Sequence, residues 1–379
     1  MRAGGECVNL FVVVALAIFL GWMQKHFYRK YWKQGLSAQV SFAKDAVYAG
    51  EEVQLTEQLD NRKWLPISKL HLKYATDASF QFHKKDNVIV TDQCYRNDVF
   101  TLFMHQTILR SHTFTCEKRG YYTIPVLELI ASDLFLEEVY AEKIKNHCAL
   151  YVYPKLLALR ELPSGLLQQM GELLTEQSLF RDDYAFQGIR EYRAGDSMRH
   201  VNWKRTAAGR EILVNTYQPC CNQDVTIILN MGVYTPSTKD IVCEYLIRMA
   251  ATLCTHFLKE GSNVSLKTNG ADIVTGERMH FQEMQGVVKV EHYYRGLARL
   301  DVKAECACSV EELVAECERS GANTCYLFLS NEAAPNVQAQ YARLKCKGAR
   351  ALWILPEYKQ MQAGVRDAAV IRMEVPEHE

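Results

Sequence analysis

The chain has 379 residues, enough for two domains, and its 48% hydrophobic and 23% charged content excludes a largely disordered or fibrous protein. Its 44 basic and 44 acidic side chains cancel, which excludes a bulk attraction to nucleic acid or acidic surfaces; any basic effect must be local. The 13 cysteines include no C-x-x-C and are too irregular for a disulfide scaffold or a structural zinc site, so they read as buried thiols in a reducing compartment.

Residues 7–24, CVNLFVVVALAIFLGWMQ, carry no formal charge. As a helix they would span about 27 Å, close to the ~30 Å hydrocarbon core of a bilayer. The flank that follows, KHFYRKYWK, holds Lys25, Arg29, Lys30 and Lys33 among aromatics, whereas only Arg2 and the amino terminus precede the apolar run. The expectation is an uncleaved single-pass anchor over 1–24 in the cell membrane, a basic juxtamembrane linker over 25–36, and the body in the cytoplasm.

From 37 to 153 the texture is β: short alternating runs are broken by Gly50, Asp60-Asn61 and Lys118-Arg119-Gly120. About seven strands of this length need a second sheet to cover their apolar faces, so an Ig-like β-sandwich is expected. His71, His83, His105 and His112 are scattered through it, and nothing in their spacing brings them to a metal.

Residues 154–219 read as a connector, with helical spacing in GLLQQMGELLTEQSLF, and end on the densest chemistry of the chain, YRAGDSMRHVNWKRTAAGREILVNTY. Asp196 is placed to N-cap a helix over 197–208 that Gly209 would end; on it Arg199 and Trp203, four apart, would stack. EILVNTY would then be a strand joining one of the two domains' sheets. Three roles remain open for the stretch. It could be a bracket locking the domains together, a partner- or anion-binding surface using Arg199, Lys204, Arg205 and Arg210, or a catalytic pair of Asp196 and His200.

Over 220–379 strands alternate with helices. DVTIILN, NVSLKT, NTCYLFLS and the final strand RALWIL read as strands; 238–259, 284–298, a helix entered by the capping box Ser309-Val-Glu-Glu312, and 336–347 read as helices. That alternation implies a doubly wound α/β domain, whose ligands bind beyond the carboxyl ends of the strands. Those ends are Asn230 to Tyr234 and Ser330-Asn331-Glu332. No P-loop, G-x-G-x-x-G, H-E-x-x-H or G-x-S-x-G is present, so no cofactor is expected and the easily recognised enzymes are absent.

The stretch resembles the signature of the bacterial family catalogued as domain of unknown function 58, roughly R-x-Y-x-x-G-D-x-x-R-x-I-D-W-K-x-T-A-R. The matching residues are Arg190, Tyr192, Gly195, Asp196, Arg199, Trp203, Lys204, Thr206 and Ala207; Asn202 and Ala208 depart from it. RGYYTIPVLELIASDLF, 119–135, resembles that family's end-of-sandwich segment. The resemblance implies a C-terminal domain similar to von Willebrand factor type A domains, many of which hold Mg²⁺ through D-x-S-x-S after the first strand. Here the corresponding Asn230, Gly232 and Tyr234 lack the carboxylate and both hydroxyls, and Ser330 and Asn331 stand in place of an acid at the fourth strand's end, with Glu332 the only nearby carboxylate, so a degenerate site with no metal is expected.

The resemblance also implies a membrane-anchored, non-enzymatic scaffold or adaptor partnering a MoxR-type AAA+ ATPase in envelope-associated protein assembly or maturation. The alternative is a hydrolase with its site at the strand ends near Asn230 and Ser330. No nucleic-acid partner is expected.

Overall fold

A computed structural model describes residues 3–83, 88–90, 93–162, 166, 170, 186–193, 196, 198–207, 211–217, 224–233, 236–281, 289–318, 324–346, 350–358 and 370–376. The chain divides into two compact units, Met1–Lys155 and Leu156–Glu379.

The first unit opens on the helix Ala3–Tyr31. Its 29 residues outrun the expected apolar span because the last turns belong to the domain that follows. Tyr28 and, just beyond the helix, Trp32 are buried in that domain's core. The Tyr28 hydroxyl donates to the Pro66 carbonyl, and the Lys63 ammonium caps the carbonyls of Tyr31 and Trp32. Nearer the N-terminus, Phe11, Leu16, Ile18, Phe19 and Trp22 are all exposed, Phe11 to 77%.

Twelve strands are described in this unit, more than the seven expected, because short edge strands carry too little alternation to be read. One sheet orders Leu36–Phe42, Glu52–Asn61, Gln106–Cys116 and Phe80–Phe82; another orders Val139–Lys145, Val126–Ser132, Ile67–Asp77, Gln93–Leu102 and Val88–Val90. A small third sheet joins Ala46–Tyr48, Ala149–Tyr153 and Gly120–Thr123. Inward residues of the two larger sheets, such as Val53, Leu55 and Leu59 against Leu70, Leu72 and Leu127, form one core, which makes a β-sandwich. The imperfect alternation of ISKLHLKYAT has a local cause: the register against Gln93–Leu102 shifts between Ile67 and Leu70, a bulge that restores the apolar parity.

In the second unit a six-strand sheet runs Arg278–His280, Asn263–Asp272, Asp224–Leu229, Thr324–Leu329, Arg350–Glu357 and Val370–Glu374, with the short Leu300–Asp301 paired to Asn263–Asp272. In chain order this is 3-2-1-4-5-6, antiparallel only at Arg278–His280 along that path. RALWIL is therefore not the final strand: Val370–Glu374 adds a parallel edge whose VIRME pattern is too polar to stand out. Every residue of Thr324–Leu329 is buried, so both faces are covered. Val310–Cys317 and Pro335–Cys346 pack on Tyr326, Phe328 and Trp353. Lys239–Lys259, long and apolar enough to cross a membrane by length and composition, is instead mostly buried in this unit. It ends, as the sequence indicates, where Gly261 takes the left-handed φ of +83°.

The expected connector is part of the second unit. The Leu157 backbone N–H donates to Thr252 Oγ1 of Lys239–Lys259 at 2.9 Å. The helix expected over GLLQQMGELLTEQSLF lies outside the described residues, apart from Leu166 and Met170, both helical and buried.

Candidate functional site

The signature stretch is a hairpin, not a single helix. Phe186–Glu191 pairs antiparallel with Leu213–Tyr217 as a separate two-stranded sheet, so the strand expected to join one of the large sheets joins neither. Between them come a 3-10 turn, Met198–His200, and a four-residue helix, Trp203–Thr206. The expected helix over 197–208 fails at Val201, which bridges Val214, and at Asn202, whose N–H donates to the Leu213 carbonyl. Strand pairing there outweighs local helix propensity. Gly195, Ala208 and Gly209 lie outside the described residues.

The described hydrogen bonds of Asp196 tie it to Arg190 and Arg193 rather than to a helix N-terminus. Its carboxylate is held in a two-point pair by Arg190, at 2.7 and 2.6 Å, and accepts the Arg193 backbone N–H at 2.8 Å. That pairing raises the Arg190 pKa above its already high usual value. The cap is Asn202: its Oδ1 accepts from Arg205 N–H at 3.0 Å, and its amide donates to Asn215 Oδ1 at 2.8 Å. Thr206 Oγ1 accepts the Leu213 N–H at 3.1 Å, and the Tyr192 N–H donates to the Ile212 carbonyl.

The motif residues thus divide by direction. Arg190, Asp196, Asn202 and Thr206 brace the hairpin. Met198, Arg199, Trp203, Lys204 and Ile212 face outward, Trp203 with 61% of its surface exposed. Because Arg199 and Trp203 sit in different elements, the helical spacing that would stack them is absent. Asp196→Ala is expected to lower the thermal midpoint, since Arg190 and a loop N–H lose their acceptor. Trp203→Ala should stay within about 0.5 kcal/mol, as surface substitutions do. Equal losses in thermal unfolding of the two variants would contradict this division.

The strand ends form the second cluster, at the switch point of the sheet where strand order reverses between Asp224–Leu229 and Thr324–Leu329. Asn230 and Ser330 are fully buried. Asn230 Oδ1 accepts from Gly232 N–H at 3.0 Å and from Asn269 Nδ2 at 2.8 Å; its Nδ2 donates to Ser330 Oγ at 2.9 Å and Glu332 Oε2 at 3.2 Å. The backbone N–H of Gly232 can only donate, which fixes the amide's orientation. Asn269 Oδ1 in turn accepts the Met231 N–H, and Ser330 Oγ the Glu332 N–H. Gly232 is small for lack of space: a Cβ there would lie 2.3 Å from Glu332 Oε2.

Of the expected positions, Asn230, Gly232 and Ser330 meet; Asn331 turns away to donate to the Pro356 carbonyl, and Tyr234 lies outside the described residues. Asn269 was not read from the sequence, though a polar TNG at the end of an apolar strand was its signal. These residues do not fit Mg²⁺. The position facing the one nearby carboxylate is an N–H donor, where a hard cation needs oxygen lone pairs. A hydrolase finds little here either: the described hydrogen bonds to buried Ser330 bring it no base.

The sequence missed a third cluster, in the sandwich core. Glu57, Asp98 and His112 offer ligand atoms within 4.8 Å of one another. Tyr74 donates to Glu57 Oε1 at 2.6 Å; buried Arg96 donates twice to Asp98 Oδ2 at 3.1 and 3.0 Å; Arg110 lies 3.4 Å from Asp98 Oδ1; His112 Nε2 lies 3.3 Å from Glu57 Oε2. Burial alone would raise the Asp98 pKa, but its hydrogen bond with Glu57 and the Arg96 cation outweigh that and hold it below the usual range. With guanidinium already on Asp98, the cluster is an internal ion network rather than a cation site.

The two units are thus a β-sandwich that follows an apolar helix, and a doubly wound α/β domain. The chain matches no family model and no curated protein. Over about a third of its length the chain is similar to solved structures. One is the seventh ScaB type I cohesin from Pseudobacteroides cellulosolvens, at 13% identity over 32% of this chain and 96% of that one, TM-score 0.21. Others are a non-cellulosomal cohesin from Archaeoglobus fulgidus, at 10% over 31% and 91%, TM-score 0.20, and a CARDB domain from Pyrococcus furiosus in complex with di-metal ions, at 11% over 30% and 90%, TM-score 0.18. Likeness at this level decides neither family nor activity.

Proposed function

We propose that the chain is a membrane-anchored, non-enzymatic scaffold or adaptor, with an Ig-like sandwich and a von Willebrand factor type A-like domain held in the cytoplasm. The anchor is supported by the uncharged run at 7–24, by the helix Ala3–Tyr31 that carries it with apolar side chains exposed on all sides, and by the basic flank. The type A-like reading draws on the strand order and on the strand-end cluster, whose amide replaces the metal-binding carboxylate that the resemblance leads one to expect.

The observation that carries the adaptor reading is Trp203. It is a large exposed aromatic on a hairpin whose described braces lie within it, and the same hairpin carries the exposed Met198, Ile212, Arg199 and Lys204. Exposed aromatics accompanied by basic groups suit a protein partner with an acidic rim. The partner proposed from the family resemblance is a MoxR-type AAA+ ATPase, acting in envelope-associated protein assembly or maturation.

The test is co-purification of the full-length chain from native membranes in mild detergent. Trp203→Ala is expected to weaken recovery of the ATPase by about 2 kcal/mol, roughly 30-fold in Kd, while remaining folded. Recovery of no ATPase, or equal recovery by both forms, would sink the reading.

A further inference from the structure

Three connections of the sandwich, two crossing between the sheets and one a hairpin, gather where the N-terminal helix enters it. The connection 62–66 follows Glu52–Asn61, 103–105 follows Gln93–Leu102, and 133–138 joins Val126–Ser132 to Val139–Lys145. They are tied to one another and to the helix. Asn61 donates to the Leu65 and Phe103 carbonyls, the His105 N–H donates to the Lys63 carbonyl, and Ser68 Oγ donates to the Asp133 carbonyl. Gln24 of the helix donates to Asp133, Lys25 pairs with Glu137, and Tyr28 donates to the Pro66 carbonyl.

The tips of these connections are apolar and point outward. Trp64, Phe103, Met104, Leu134, Phe135 and Leu136 are all exposed, Phe135 and Trp64 each to 65%. A connection facing only water would place polar residues there. Nor is the 133–138 tip loose: Asp133 Oδ1 accepts the N–H groups of Glu137 at 2.7 Å and Glu138 at 3.2 Å, and Leu136 is held at a left-handed φ of +60°. For a side chain with a Cβ that backbone is unfavourable, so the contacts around it maintain the apolar tip.

The level of this tip along the helix is set by Gln24 and Lys25. With the uncharged run 7–24 centred in a bilayer, Gln24 lies about 13 Å from the midplane at 1.5 Å per residue, and the hydrocarbon ends at about 15 Å. Leu134, Phe135 and Leu136 therefore sit where acyl chains give way to headgroups, the depth at which aromatic belts lie. Lys25, Arg29, Lys30 and Arg62 share this end of the unit, the charge expected on a side facing phospholipid phosphates.

We propose that the loop tips of the sandwich, led by Leu134–Phe135–Leu136 and joined by Trp64, Phe103 and Met104, form a collar that inserts into the phospholipid interface around the anchor helix. The collar rests on the anchoring reading and goes beyond it: the domain is seated on the bilayer rather than tethered below it. Seating would restrict the orientation of the sandwich relative to the membrane, which an anchor alone would not do.

The test replaces Phe135, or in a second variant Trp64, with the photocrosslinking residue p-benzoylphenylalanine in the full chain in native membranes. Tyr95 is the control, 51% exposed and near the start of the strand Gln93–Leu102 whose other end leads to Phe103. Irradiation is expected to give phospholipid adducts at positions 135 and 64 and none at 95, with the chain resisting alkaline extraction. Resistance to extraction without lipid adducts at 135 and 64 overturns the collar and leaves the anchor standing. Extraction without adducts overturns both. Adducts at 135 with a second copy or another protein in place of lipid overturn the collar in favour of a protein contact.

Discussion

Arg96→Leu is expected to destabilise the sandwich by about 3–5 kcal/mol, the cost of leaving a buried charge without its partner. Arg96 and Asp98 are almost fully buried, and Asp98 Oδ2 receives two of the guanidinium's hydrogen bonds. Arg110 reaches only the other oxygen, at 3.4 Å and from a partly exposed position, so it cannot take over. The paired change Arg96→Leu with Asp98→Leu should cost less than either single change, because it removes the charges together and leaves an apolar group beside Phe82.

The pH dependence adds a readout of opposite sign. In the native protein the Asp98 pKa is lowered, so its stabilisation is full above the unfolded value of about 3.9 and is lost only as pH falls through the lower folded value. Without Arg96 one of the main groups opposing burial is gone, so the folded pKa should rise. The variant should then recover stability relative to the native protein as pH falls through that raised value. Urea unfolding at several pH values measures both, and a variant that loses less than about 1 kcal/mol would be at odds with a buried network.

This network shows what the sequence offered and what was read from it. In EEVQLTEQLDN the buried parity runs Val53, Leu55, Glu57, Leu59 and Asn61, so Glu57 occupies an inward position of a plain alternating strand. Arg96 and Asp98 share the inward parity of Cys94, Phe100 and Leu102. The alternation was legible, and with it the sandwich. What strand periodicity cannot supply is which distant acid meets which distant base, because the face-to-face packing of the two sheets that brings strand 52–61 opposite 93–102 leaves no local trace. For the same reason His112 looked like an ordinary strand histidine.

The signature stretch failed differently. The sequence marks its residues, but position before a polar run points Asp196 to a cap, whereas its partner Arg190 lies upstream and Asn202 does the capping. The α/β domain was the most legible part, since strands buried on both faces read as continuous apolar runs. The edge strands Arg278–His280 and Val370–Glu374, half exposed and mixed in character, did not.

Asn230→Asp is the second change with a large expected effect, because it restores the charge that the resemblance associates with a metal while keeping the side chain's shape. One carboxylate oxygen would keep the Gly232 and Asn269 donors. The other would take the place of Nδ2, about 3.2 Å from Glu332 Oε2, where a donor now meets an acceptor. Two carboxylates that close, one fully buried, cannot both stay ionised without cost, so a loss of about 3 kcal/mol is expected at neutral pH. One of them should then carry a raised pKa. Its penalty is present at neutral pH and relieved as pH falls, so the variant's thermal midpoint should approach that of the native protein toward pH 5. A divalent cation can relieve the same repulsion: millimolar Mg²⁺ should raise the midpoint of the variant and leave the native protein unmoved. If Mg²⁺ stabilises the native protein, the amide has not closed the site, and the account of Asn230 as the residue that switched metal binding off is wrong. If neither protein responds, loss of the carboxylate alone does not explain the closed site. Gly232, which offers no hydroxyl and whose Cβ would strike Glu332, is then the second barrier, and the double change Asn230→Asp with Gly232→Ser should respond to Mg²⁺ only if Glu332 swings aside.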